Sequence, residues 1–217
     1  IVASSSGESD QTQGAYFSED KVAQVREKLA QVPEVDGLLP SIASQAAAIN
    51  ETTGRANAQI SLTGVDVASL DAFGGYQTTG GEKIDLASFP DGTVVVSKDL
   101  ATDLGLKVGD QFTIYISSKP TTLTVGGIAR NNVLAGLIGN PDGTFNNSAV
   151  AMPLPEVQSL LGREGQINQI LVSQTGPIAK TTDEIQAVQD KISPLLDGTG
   201  LGINEGKAGF LEAAEGI

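Results

Sequence analysis

The chain has no cysteine and no histidine among its 217 residues. Without cysteine there is no disulfide framework, no thiol nucleophile and no thiolate metal site. Without histidine the commonest general base and the commonest transition-metal ligand are both missing. Tryptophan is absent and aromatics make up only 4% of residues, whereas 40% are hydrophobic, so Val, Ile, Leu and Ala must fill any core. Basic residues are scarce: 13 Lys and Arg face 26 Asp and Glu, a formal net charge of −13. That sign disfavours nucleic acid and anionic membrane surfaces, both of them polyanions. No apolar run approaches the roughly 18 to 20 residues of a membrane span. What remains is a chain long enough to bury a real core as one large or two small domains.

The most ordered stretch runs from Val94 to Ile116. Val94-Val95-Val96 is a β-branched run suited to a packed strand. Ser97 is placed as an N-cap, Leu100 and Leu104 fall on one helical face, and Gly105 with Leu106 behind it forms a helix stop with an apolar closing contact. Gly109-Asp110 makes a turn, after which Phe112, Ile114 and Ile116 alternate with polar residues as in a half-buried strand. Lys119-Pro120 is expected to turn the chain into a partner strand through Leu123 and Val125.

Upstream, Ile1 to Gly14 is Ser-, Gly- and Gln-rich and reads as a linker. Ser18 is positioned to cap a helix carrying Glu19 and Asp20 in its first turn and Val22, Val25 and Leu29 on its apolar face, with Pro33 as the stop. Val35 to Ile49 and Ala56 to Val65 read as a strand pair joined by Glu51-Thr52-Thr53-Gly54, although Ala46-Ala47-Ala48 suits a helix equally. A short helical turn is expected over Val67 to Leu70. The glycine pairs Gly74-Gly75 and Gly80-Gly81 mark a subdomain boundary. Downstream, Ala149 to Met152 reads as a strand, Pro153 to Leu161 as a short helix stopped by Gly162, and Ile167 to Val172 as a strand. Thr181 to Glu184 is a capping box before the stripe Ile185, Val188, Ile192 and Leu195, which Pro194 and the following glycines end. Leu201 to Asn204 reads as a short strand, and Phe210 to Ile217 as the start of a helix.

Little in this order carries chemistry. Asp99 and Asp103 are four residues apart, a spacing that an acid/base pair or a cation site would also use, but a solvated helix face accounts for them. Lys107 lies between glycine turns without any phosphate-loop pattern around it. Asn146-Asn147-Ser148 fits a glycosylation acceptor and equally an ordinary loop. No serine lies in a nucleophile-elbow pattern. No catalytic, cofactor-binding or metal-binding residue is therefore assigned. The segment with a functional edge is Val133, Leu134, Leu137 and Ile138, apolar, uncharged and flanked by glycines: it is either tucked into the core or exposed as a contact loop for a partner or apolar substrate.

Taken together, Val95-Val96-Ser97, Gly105 to Asp110 and Thr122 to Ile128 resemble the extracytoplasmic domain of MacB/LolC/FtsX-type ABC transporter permeases. Val32 to Gly37, Thr63 to Asp66, Val150 to Pro153, Leu160 to Gly162, Gln166 to Ile170 and Phe210 to Ala214 fall in the order that family uses. The resemblance implies an α+β fold: a split porter-like α/β subdomain with an inserted β-rich sabre-like subdomain. On that scheme residues 1–15 are a linker from a preceding membrane helix, 16–75 and 165–217 form the porter-like part, and 76–164 the insertion. It also implies a non-catalytic domain on the periplasmic or extracellular face of a cell membrane, transmitting conformational change or engaging an exported substrate or partner. The implied partners are the membrane helices of the permease, a cytoplasmic ATPase on another domain or subunit, a second permease copy, and an extracytoplasmic protein or exported substrate. No cofactor and no nucleic acid are implied. The alternative is a double-psi or swapped-hairpin β-barrel module that binds DNA or another ligand, because Leu104 to Asp110 also resembles the loop of such barrels.

Overall fold

A computed structural model describes residues 2–5, 16–130, 147–174 and 182–204. In chain order the elements are β1 (Val2–Ser5), β2 (Phe17–Ser18), α1 (Lys21–Leu29), β3 (Val35–Asn50), β4 (Arg55–Val65), α2 (Val67–Leu70), β5 (Tyr76–Gln77) and β6 (Lys83–Ile84). There follow β7 (Thr93–Ser97), α3 (Lys98–Leu104), β8 (Gln111–Ile116), β9 (Lys119–Ala129), β10 (Ala149–Pro153), α4 (Leu154–Leu161), β11 (Gln166–Ile167), β12 (Gln169–Gln174), α5 (Thr182–Leu196) and β13 (Leu201–Asn204). The chain divides into two compact units, residues 1–41 with 166–217, and residues 42–165.

In the first unit the strands run in the order β13, β1, β12 and the first half of β3. β12 lies antiparallel to β3, with Leu171 opposite Leu39 and Gln169 opposite Ser41. β1 lies antiparallel to both its neighbours. The stretch read from sequence as a linker thus contributes a strand at Val2–Ser5. α1 buries Val22, Val25 and Leu29, and α5 buries Val188, Ile192 and Leu196. The two helices pack against one another. α1 starts later than its sequence suggests. Phe17 and Ser18 pair with Ile167 and Gln166, so Ser18 is held in a strand. Its Oγ accepts from the Asp20 amide at 3.2 Å, which leaves Glu19 and Asp20 ahead of the helix. Pro194 does not end α5 but lies inside its last turn, because burial of Leu196 holds the chain helical two residues further.

In the second unit the strands close on themselves. The order β3, β4, β10, β7, β9, β8 returns to β3 through the pairs Ala47–Tyr115, Ala48–Ile114 and Ile49–Thr113. This is a closed six-stranded barrel, in which β4/β10 and β7/β9 are parallel pairs and β7/β10 and β8/β9 antiparallel. The second half of β3 and all of β4 thus group with the later β-rich segment rather than with the flanking helices, since their pairing partners are β8 and β10. Val94, Val96, Ile60, Leu62, Leu100, Leu104, Ile114 and Val150 are completely buried. Each such side chain contributes about 1.5–3 kcal/mol through removal of apolar area from water.

The β7–α3 stretch folds as its sequence dictates. The Ser97 hydroxyl accepts from the Leu100 amide at 3.2 Å and also from the Ala149 amide at 3.0 Å, so one buried oxygen caps α3 and pins the start of β10. Gly105 ends the helix at φ +68, and the Leu106 amide closes back on the Ala101 carbonyl at 2.8 Å. Ala46-Ala47-Ala48 is strand, not helix. The turn before β9 is not at Lys119-Pro120 but at Ser117-Ser118, whose φ values of 48 and 66 give the left-handed pair that a two-residue hairpin loop requires. Lys119 and Pro120 already belong to β9, opposite Ile116 and Tyr115.

Candidate functional site

The sequence-based candidates separate into two groups. Val133, Leu134, Leu137 and Ile138 lie outside the described residues, as do Asn146 and the expected helix over Phe210 to Ile217. Asp103, by contrast, is structurally engaged: its Oδ2 accepts from Ser148 Oγ at 3.0 Å and from Asn57 Nδ2 at 3.2 Å. That ties α3 to β4 and to the approach to β10, a bracing role. At Lys107 the backbone amide donates to Asp110 Oδ2 at 2.9 Å, which shapes the turn. Among the described residues no group of three or more Asp and Glu is placed to hold a metal ion. The Tyr76 phenol is fully buried, and desolvation pushes its pKa well above the ordinary tyrosine value, so it stays protonated through the physiological range.

A second cluster joins the β3–β4 hairpin to the end of α3. Asn50 is 2% exposed. Its Nδ2 donates to the Leu104 carbonyl at 3.0 Å, and its Oδ1 accepts from the Thr52 and Thr53 amides at 3.0 and 3.4 Å. Thr53 Oγ1 also donates to the Leu104 carbonyl at 2.9 Å, and Arg55 Nη1 reaches the Thr102 carbonyl at 3.3 Å. A helix leaves its last carbonyls unpaired, and here a hairpin supplies the donors. The cluster is scaffolding.

The feature with functional geometry is the pairing of β1 with β13, the first and last described strands of the first unit. β1 and β13 are antiparallel, with Val2 opposite Asn204, Ala3 opposite Ile203, Ser4 opposite Gly202 and Ser5 opposite Leu201. Adjacent strands lie about 4.8 Å apart. Val2 and Asn204 therefore lie side by side at one end of the sheet. The other end of β13 is fastened. Lys21 Nζ donates to the Thr199 carbonyl at 2.5 Å while lying 5.9 Å from the centre of the Phe17 ring. Thr199 is buried; its Oγ1 donates to the Leu196 carbonyl at 2.6 Å and accepts from the Leu201 amide at 3.2 Å. Lys28, seven residues beyond Lys21 and two helical turns along α1, donates to the Asp197 carbonyl at 3.4 Å. Lys191 of α5 pairs with Glu34. Two lysines of α1 thus hold the carbonyl-rich end of α5, where cations are favoured, at the point where the chain turns into β13. Sequence reasoning found the strand at Leu201 to Asn204 but not its partner, and it gave Lys21 no role.

Solved structures show the same fold. The periplasmic region of MacB from Actinobacillus actinomycetemcomitans superposes with a TM-score of 0.54 at 12% identity, over 100% of this chain and 92% of that one. The extracellular domain of the noncanonical ABC-type transporter YknZ from Gram-positive bacteria gives 0.53 at 16% identity, over 94% of this chain and 99% of that one. No curated protein sequence matches this chain. The sequence profile of the MacB-like periplasmic core domain matches residues 1–195. The chain belongs to the MacB-like periplasmic core domain family, the extracytoplasmic domain of ABC transporter permeases of the MacB/YknZ type.

Proposed function

We propose that this domain is the non-catalytic extracytoplasmic part of an ABC permease that transmits conformational change from membrane helices to an exported substrate or an outside partner. The observation that carries the reading is the register of Val2 opposite Asn204. Two strands whose outer residues, Val2 and Asn204, lie side by side suit a domain suspended from two membrane helices. Hydrolysis of ATP falls on a separate domain or subunit on the cytoplasmic side, and a second permease copy completes the transporter. The glycine-flanked residues Val133, Leu134, Leu137 and Ile138 are the proposed contact surface for substrate or partner. The closed barrel of the second unit gives a structural reason why Leu104 to Asp110 resembles a barrel loop, since it connects α3 to β8 of that ring.

The test uses the membrane-embedded transporter. Replacing residues 6–200 by a short flexible linker is expected to leave ATP hydrolysis measurable and to lower transport at least tenfold. Undiminished transport would refute the proposal. A cysteine placed at exposed Ser117, in a transporter whose cysteines outside this cysteine-free domain have been replaced, should react with a membrane-impermeant maleimide added outside the cell.

A further inference from the structure

The proposed role requires motion to pass through the β1–β13 ladder, and the fastening of β13 determines how that ladder responds. A displacement of the outgoing segment runs along β13 to the Thr199 turn and through Lys21 into α1. A displacement of the incoming segment runs along β1, which is paired on its other side with β12 at Val2–Leu171 and Ala3–Ile170. If one segment slides along its own axis past the other, every bond between the two strands is loaded at once. If the segments separate sideways, the bonds break one after another from the Val2–Asn204 end. An antiparallel ladder resists the first load far better than the second, because in shear the loss is simultaneous and in peeling it is sequential.

We infer that the β1–β13 ladder is a clasp that stays closed throughout the working cycle, so that the two segments are carried as one body and sliding displacement, not separation, is what reaches the domain. The inference rests on the permease reading above. It assigns β1 and β13 a mechanical role and makes Lys21 a positioning residue that anchors the far end of the clasp.

The test joins the strands covalently. Ala3→Cys with Ile203→Cys places two cysteines at paired Cα positions in a domain with no others, the remaining cysteines of the transporter being replaced beforehand. In the full transporter, oxidation is expected to form the cross-link and to leave transport within twofold of the reduced form. Transport that stops on oxidation and returns with reductant would overturn the clasp, because the ladder would then have to open. Failure of both this pair and the neighbouring pair, Ser4→Cys with Gly202→Cys, to cross-link would overturn it equally, because successive pairs alternate in geometry and one of them must suit a disulfide if the strands are held in register. Lys21→Met should lower transport at least threefold with ATP hydrolysis unchanged, and the oxidised cross-link should restore most of that loss. A transporter whose unmodified form shows no ATP-dependent transport would instead remove the permease reading, and that result is read before any variant is compared.

Discussion

Asn50 offers the sharpest test of how the barrel is held together. Replacing it by alanine deletes the donor to the Leu104 carbonyl and the acceptor of the Thr52 and Thr53 amides. The Leu104 carbonyl keeps one partner, Thr53 Oγ1, so it is not orphaned. A net loss of about 0.5–1.5 kcal/mol per hydrogen bond applies to the two shorter bonds, and a smaller loss to the 3.4 Å contact. The total is about 1–4 kcal/mol, equivalent to a fall in Tm of roughly 2–16 °C for a chain of this length. Urea unfolding followed by far-ultraviolet circular dichroism reads this as a lower midpoint at unchanged m. Asn50→Asp separates donor from acceptor, because it keeps the oxygen that receives the two amides but turns a second oxygen toward the Leu104 carbonyl. This variant should be at least as unstable as Asn50→Ala at pH 7. The introduced carboxyl would titrate higher in the folded than in the unfolded state, since only the protonated form can donate to that carbonyl. The folded state then binds more protons, and stability rises as the pH falls through that raised pKa. An aspartate variant as stable as the wild type at pH 7 would refute the claim that the donated bond matters.

Three further outcomes follow from other positions. Ser97→Ala removes one buried oxygen that serves both the Leu100 and Ala149 amides, and should cost about 1–3 kcal/mol by the same unfolding assay, with Ser97→Thr recovering part of it. Gly64→Ala places a methyl group 2.8 Å from Val157 Cβ and 2.9 Å from Ile42 Cγ2, closer than carbon atoms pack, so α4 must move away from β4. The expected cost is about 1–3 kcal/mol, and the companion substitution Val157→Ala should relieve part of the crowding. Of the three tyrosines, Tyr76 should not ionise while the protein stays folded: ultraviolet absorbance should show its phenolate only as the protein unfolds. Its folded pKa lies above its unfolded one, so the stability it contributes is fully present below about pH 10 and is lost above it; reversible ionisation of all three phenols in the folded protein would contradict its burial.

The readable parts of this fold are those fixed within a few residues. Ser97 and Gly105 bound α3 as their chemistry requires, Val67–Leu70 forms the expected short helix, and Glu51 to Gly54 turns β3 into β4. The parts that escaped depend on partners far along the chain. Val2–Ser5 has the composition of its Ser-rich surroundings and is a strand because β12 and β13 lie on either side of it. Ser117-Ser118 carries no glycine or asparagine to announce left-handed backbone, and Pro120 next to it gave a stronger but misplaced turn signal. Pairing of β3 with β8 closes the barrel through Ala47, Ala48 and Ile49, whose small or ambiguous side chains suit helix and strand alike. The clasp was invisible for the same reason: the Lys21 contact with Thr199 joins opposite ends of the chain.

Closure of that ring bears on how the second unit comes apart. An open sheet frays from its outermost strand inward, and its backbone amides exchange with solvent in that order. A ring has no outermost strand, and the three-residue seam between β3 and β8 decides whether it behaves as one. While the seam holds, amides of β4, β7, β9 and β10 should exchange together, on the timescale of global opening. Once it is weakened, by a proline at Ala48 for example, exchange should become graded from β8 and β3 toward β10. The seam also removes a row of unpaired backbone groups that a foreign strand would otherwise join, which spares a β-rich domain working outside the cell from edge-to-edge aggregation.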